Sequence, residues 1–393
     1  MSIKSIVLHH VAVPLKAKIK HASHERVTSD NLVVAVTLRN GTTGFGEGVP
    51  RSYVTGETID STFDALGQFD VGEVMGAPAD YADVVQRVAA LELPETLDDP
   101  RGMNGNAARC ALELAILDAY GKHFGDSLGK AISLARIPGL VLKEKPSKVR
   151  YSGAIMASTP SKEYRSAFKM WIYGFHQIKI KVGVDGQDDP HRLKGLRRVL
   201  GKRMDLRLDA NEAWPASEVV KRLRPLMVYH PTAIEQPVKH AEADALAEIR
   251  EEIDLEVMLD ESLCGYPDAV HAIEHGTVDI FNVRLSKCGG LLPTLKIIGL
   301  AQRSGIGLQL GCHPGETGLL SAAGRHVASR VAGLRYVEGS YDRHVLAANI
   351  IKEDVTFGYG GWAPPLEGPG LGVTVDRDAL DRLTVARREI AHA

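Results

Sequence analysis

HQIKIKVGVDGQDDPHRLKGLRRVLGKRMDLRLDAN, residues 176–211, carries the reading on which the fold turns. Two short β-rich runs, HQIKIKV (176–182) and LRLDAN (206–211), flank an amphipathic helical stretch. That is one strand–helix–strand unit, which builds a parallel pair. The same rhythm extends in both directions. YSGAI (151–155) lies before it, and TAIEQP (232–237), EVMLDES (256–262), DIFNVRLSK (279–287), IGLQLGC (306–312) and RYVEGS (335–340) follow. Eight strands, most separated by one helix, predict an α/β fold with a closed TIM-type (β/α) barrel.

The first 135 residues have a different texture. Residues 4–13 and 31–38 read as strands, and helical patterns follow near 57–70, 78–91 and 105–124. In NGTTGFGEG (40–48), Gly44, Gly46 and Gly48 could suggest a nucleotide loop. An Asn-Gly turn precedes them and no helix opens after them, so they read as a hairpin. The expected division is an α+β capping unit over 1–135, a barrel over 150–345, and a C-terminal segment over 346–393 that returns to the cap. Residues 360–375, Gly/Pro-rich and then strand-like, are expected to make that return.

The chain has 393 residues, 44% hydrophobic and 24% charged, with 47 Lys+Arg against 49 Asp+Glu for a net charge of −2. This is ordinary globular composition, with no basic field for nucleic acid or an anionic membrane surface. Two histidines and a proline interrupt the apolar stretch of the N-terminus, making it a poor signal peptide. Cys110, Cys264, Cys288 and Cys312 form no CxxC pair, so free thiols and a cytoplasmic setting are expected.

In such a barrel, functional groups sit at the C-terminal ends of strands. Lys179 and Lys181 end the second strand, Asp209 the third, Glu235 the fourth, Asp260 the fifth and Lys287 the sixth. From Lys181 onward the steps are 28, 26, 25 and 27 residues, close to one strand-plus-helix unit each. These residues should therefore ring one barrel mouth. Three converging carboxylates repel one another, and a divalent cation resolves the repulsion. All-oxygen ligation suits Mg²⁺ or Mn²⁺ rather than zinc. A lysine near its reference pKa of about 10.4 is a poor base. The charges of Lys179 and the cation would both lower Lys181, and Lys287 could act on the opposite face of the same carbon. The chemistry indicated is removal of a proton next to a substrate carboxylate.

The motifs IKIKVG, DANEAW, EQP, DES and SKCGG, in this order and spacing, resemble the enolase superfamily, and the two-lysine arrangement resembles its muconate lactonizing enzyme subgroup. The resemblance covers nearly the whole chain, including NAARCALELAILDAYGK (106–122) and PGLGVTVD (369–376). It implies that Asp209, Glu235 and Asp260 bind Mg²⁺, that Lys181 and Lys287 form the acid/base pair, and that Lys179 assists Lys181. It also implies a homo-oligomer acting on a small carboxylate. Racemisation or epimerisation of an amino-acid derivative or dipeptide comes first, then muconate-type cycloisomerisation or syn-dehydration.

Asn211 and Glu261 are assigned to the shell around the metal, with alternation leaving open that Glu261 faces away. Glu316 positions the Lys287 side or binds substrate. Its loop, GCHPGETG, departs from the family's Gly-Cys-Met-x-Glu-Ser pattern, and His313 there is read as a solvated loop residue. Glu338 ends strand eight as a further substrate contact, but Glu338-Gly339-Ser340 departs from the Asp-x-Asp of dipeptide epimerases. Loops 16–30 and 50–57 read either as surface loops or as lids, with Arg51 and Tyr53 as candidate substrate contacts. Two other classes compete: a barrel hydrolase, which needs a His-x-His that residues 151–155 lack, and a binding protein, which could discard either lysine.

Overall fold

The computed structural model describes residues 1–20, 25–95, 104–156 and 159–391. All eight expected barrel strands are present: Gly153–Ile155, Gln177–Lys181, Asp205–Asp209, Ala233–Glu235, Glu256–Leu259, Ile280–Val283, Gly307–Leu310 and Leu334–Val337. They pair in parallel in sequence order. The backbone N–H of Ser152 donates to Val337 O at 2.8 Å, tying the first strand to the last. The sheet thus curls into a barrel with an α+β cap beside it. The strands are shorter than their β-rich runs, and this moves two key residues. Asp260 stands one residue past strand five. Lys287 stands in a turn four residues past strand six, where Cys288 N–H bonds Arg284 O and Gly290 N–H bonds Leu285 O.

The cap is a four-stranded antiparallel sheet in which Thr384–Ala391 pairs with Ile3–Lys20, which pairs with Glu25–Leu38, which pairs with Thr43–Gly48. Residues 16–20 and 25–30, expected to be loop, extend the first hairpin instead, with a register shift after Pro14. Proline has no N–H for the ladder, so a shift there is a natural break. Residues 21–24 of that expected loop lie outside the described residues. The expected return of 360–375 to the cap occurs at Gly370 and Leu371: Gly370 bridges Ser127, and Leu371 N–H donates to Asp118 Oδ1 at 2.8 Å. Trp362–Ala363 pairs instead with Val149–Arg150, and a further strand, unexpected from the sequence, joins the cap sheet, Thr384–Ala391. Its run of charge (Arg387, Arg388, Glu389) hides the strand from a hydrophobicity reading.

The helix Asn106–Phe124 is apolar on nearly all faces, as a helix buried on all sides must be. It packs on Thr43–Gly48, and the three glycines there explain themselves. A Cβ on Gly44 would lie 2.1 Å from Ala119 N, on Gly46 2.1 Å from Ala111 O, and on Gly48 2.0 Å from Ala107 O. They face one stripe of the helix and let two backbones touch. Overpacking typically costs about 1–3 kcal/mol. Gly46→Ala is expected to reach the top of that range, because backbone must move. A urea midpoint unchanged from wild type would contradict this packing.

Candidate active site

The register sets the site in two layers. Lys181 pairs with Asp209 and Asp209 with Glu235, so these three stand level on neighbouring strands. One step below, Lys179 pairs with Arg207. In QIKIK, Ile178 and Ile180 are fully buried in the apolar core, while both lysines turn to the other face.

Lys179 Nζ lies 3.3 Å from Asp209 Oδ2, 3.3 Å from Glu235 Oε2 and 3.0 Å from Glu338 Oε2. Burial pulls its pKa down, but Glu235, Glu338 and Asp209 outweigh burial and hold it well above the usual lysine value. Lys179 is therefore a fixed positive charge. Lys181 differs: burial, aided by Lys179 and opposed by Asp209, lowers its pKa. Of the two amines, Lys181 gives up its proton the more readily.

On the other flank, Lys287 is wholly buried. Its Nζ donates to Asp260 O at 2.5 Å, Asp260 Oδ1 at 2.9 Å and Asn282 O at 2.9 Å. Burial would depress its pKa, but Asp260 overrides this and raises it. Asp260 in turn is held below the ordinary carboxylate range. Burial works against that, and the charges of Arg284 and Lys287 prevail. Glu235 goes the other way, raised by burial and by Asp209, Asp260 and Glu338, although Lys179 opposes.

Three residues of the site escaped the sequence reading. Arg284 bonds Asp260 Oδ2 and lies 3.8 Å from Glu235 Oε1. Asn282 Nδ2 donates to Glu235 Oε1 at 2.9 Å. Alternation from Asn282 through Arg284 along DIFNVRLSK could have flagged both. Gln236 is the third. Its Oε1 accepts from Asp260 N–H and Ser262 N–H, at 3.0 and 3.1 Å, which fixes the turn that carries Asp260. Gln236, Asn211 and Glu212 all hold left-handed φ values of 37°, 44° and 62°, a concentration of uncommon backbone at this mouth.

The carboxylates line one arc, and each neighbouring pair shares a protein cation: Lys179 between Asp209 and Glu235, Arg284 between Glu235 and Asp260. As they stand, among the described residues no three acidic, His or Cys side chains are gathered closely enough to hold a metal ion. The donor chemistry nevertheless fits a hard divalent cation, being buried and all-oxygen. The buried Asn211 Oδ1, without a hydrogen-bond partner among the described residues, adds an oxygen beside Asp209, whose Oδ1 accepts Asn211 N–H at 3.1 Å. Glu261 does not face away. The chain leaves the strand at Leu259, and the turn beyond aims Glu261 Oε1 at Asn211 Nδ2, 3.3 Å apart.

The remaining candidates divide. Glu338 is drawn inward by Lys179 and by Arg207 Nη2 at 3.1 Å. Glu316 Oε2 accepts His313 N–H at 3.0 Å, and burial with Glu47 nearby drives its pKa well up. Glu316, Glu338, Tyr151 and Gly339 line one small cavity. Arg51 is spent on the cap, donating to Asp30 O, Pro50 O and Ser29 Oγ. Tyr53 packs near Val54 and Cys264. The four cysteines form no disulfide, and burial raises the pKa of Cys110, Cys288 and Cys312, as expected of inert thiols. His313 is buried at 3% exposure rather than solvated, because cap residues roof its loop: Asn31 Nδ2 donates to Gly315 O at 2.9 Å.

Among the described residues no helix is long and apolar enough to cross a membrane. Residues 163–379 match the family described as enolase C-terminal domain-like. A hydrophobic dipeptide epimerase of Enterococcus faecalis is 28% identical over 333 residues, 84% of this chain and 87% of the relative. An N-succinyl-L-Arg/Lys racemase of Bacillus cereus is 28% identical over 392 residues, 98% of each. The crystal structure of the Bacillus cereus N-succinyl Arg/Lys racemase superposes with a TM-score of 0.84 at 25% identity, covering 99% of this chain and 100% of that one. A dipeptide epimerase from Cytophaga hutchinsonii, complexed with Mg and D-Ala-L-Val, gives 0.82 at 25% identity, with 99% and 100% covered. With more than half its length, residues 163–379, matched by the family, the chain belongs to the enolase superfamily, in its enolase C-terminal domain-like family.

Proposed function

We propose that this protein is a Mg²⁺-dependent isomerase that inverts the α-carbon of an amino-acid derivative bearing a free carboxylate. The observation that carries the reading is the placement of two amines on opposite flanks of one carboxylate arc. Lys181 stands level with Asp209 and Glu235, and Lys287 is bonded to Asp260. Relatives named as epimerases and racemases of such derivatives support it.

Asp209, Glu235 and Asp260 would hold the ion, Mg²⁺ by preference and Mn²⁺ by donor type. A bound divalent cation supplies positive charge where negative charge spreads onto the substrate carboxylate as the α-proton leaves. The chain's own groups move the proton. Lys181, its pKa lowered, takes the α-hydrogen from one face onto Nζ. Lys287, its pKa raised, returns a proton from its Nζ to the other face, and the roles reverse for the opposite enantiomer. Lys179 stays protonated and keeps Glu235, Asp209 and Glu338 in place. A bound ion would share these carboxylates with Lys179 and Arg284, which contact them now.

The test is incubation of N-acyl amino acids and dipeptides with protein and Mg²⁺ in D₂O. Loss of optical rotation together with incorporation of one α-deuterium is expected. Inversion without deuterium, or no exchange with any member of the panel, would refute the reading.

A further inference from the structure

Strand seven sends alternate side chains into the barrel. Gln309 faces inward, where its Oε1 accepts from Arg207. Two residues on, a Cβ at Gly311 would lie 2.2 Å from Asn282 Oδ1 and 3.2 Å from Arg284 Cγ, so that position also faces the mouth. His313 lies two residues further on, in the loop past the strand's end at Leu310, and the loop rather than the alternation sets its ring. Its main chain is fixed, with N–H on Glu316 Oε2. Its ring is buried, yet among the described residues neither Nδ1 nor Nε2 has a hydrogen-bond partner. The charges acting on that ring are Arg284, Lys287 and Asp260 from the barrel and Arg51 from the cap. Buried polar groups are normally satisfied, and two unpartnered nitrogens on one residue beside the charges of Arg284 and Lys287 call for a partner that the described residues do not supply.

We propose that His313 is a substrate-binding residue that hydrogen-bonds the amide of an N-acylated or peptide-linked amino acid whose α-carbon sits between Lys181 and Lys287. This rests on the isomerase reading above and narrows its substrate class. Burial, together with Arg284 and Arg51, holds the imidazole well below its ordinary value, so the ring is neutral near pH 7. A neutral imidazole offers one N–H donor and one acceptor nitrogen. An amide offers the matching acceptor and donor. A free ammonium could use only the acceptor, and Arg284, Arg51 and Lys287 would repel it. The neutral amide is therefore the better fit.

The test compares wild type, His313→Leu and His313→Gln, each loaded with Mg²⁺. Calorimetric titration with N-acetyl amino acids and with the parent free amino acids is read alongside the thermal midpoint and a separate Mg²⁺ titration. His313→Leu is expected to bind the N-acetyl compounds about tenfold more weakly or worse, the loss of one or two hydrogen bonds. Its affinity for free amino acids and Mg²⁺ should not change. Its thermal midpoint should not fall, since the ring makes no hydrogen bond among the described residues. His313→Gln should recover part of the affinity. Unchanged N-acetyl binding in His313→Leu overturns the proposal while leaving the isomerase reading intact. A drop in thermal midpoint and Mg²⁺ affinity that matches the lost binding overturns it as well, by showing a structural role. If wild type binds no amide-bearing amino acid, both readings fall.

Discussion

Replacing Lys287 with alanine is expected to lower the rate of net inversion by about 10²–10⁴-fold, the usual worth of a positioned acid or base. The loss should fall on turnover rather than on folding. Lys287 Nζ bonds Asp260, but Arg284 holds the same carboxylate from its other oxygen. Removing one partner of a buried ion pair usually costs about 3–5 kcal/mol because a charge is stranded. Asp260 keeps a cation in this variant, so the loss should be smaller. Lys181→Ala is expected to match the loss in turnover. The pH profile adds a sign. Lys181 must be deprotonated to take a proton, and its pKa lies below the ordinary 10.5. Exchange in the direction that uses Lys181 as base should rise with pH, with its midpoint below 10.5. A thermal midpoint close to wild type alongside lost turnover would confirm that the amine acts in chemistry.

The second large effect concerns the carboxylates. Mg²⁺ is expected to raise the thermal midpoint of the wild-type protein, and chelation by EDTA to abolish both that rise and turnover. A ligand at 100 times its Kd stabilises a fold by about 2.7 kcal/mol. Asp209→Asn, Glu235→Gln and Asp260→Asn should each lose most of that stabilisation and most of the activity. Glu235→Gln is the sharpest of the three. Lys179 keeps Asp209 and Glu338 as partners, so the metal-free protein should stay folded. Because burial and neighbouring carboxylates already raise Glu235, the neutral amide should be tolerated without metal and harmful only with it. A Mg²⁺-induced rise of wild-type size in Glu235→Gln would remove this residue from the ion's shell.

The barrel and its ring of charge were legible because geometry imposes a period. One strand plus one helix takes a narrow range of residues, so groups at successive strand ends recur at that step, as Lys181, Asp209, Glu235, Asp260 and Lys287 do. What could not be read was whatever depends on contacts between distant segments. Arg284 and Asn282 lie within an apolar run and look like ordinary strand polarity until Glu235 and Asp260 are seen beside them. His313 reads as a loop residue because its roof comes from Ser29 and Asn31, at the far end of the sequence. Glu261 follows the turn, not the strand, so alternation could not settle where it points. Thr384–Ala391 carries charge because its open face needs little hydrophobicity, and only pairing with Ile3–Lys20 shows it to be a strand.

The most direct test follows α-deuterium incorporation into each enantiomer separately, using Lys181→Ala and Lys287→Ala in D₂O. Two amines on opposite faces predict complementary results. Each variant should fail to exchange one enantiomer while still exchanging the other, and neither should interconvert them. Equal residual exchange of both enantiomers by either variant would mean that a single base serves both faces, and would contradict a mechanism with one lysine on each side of the α-carbon.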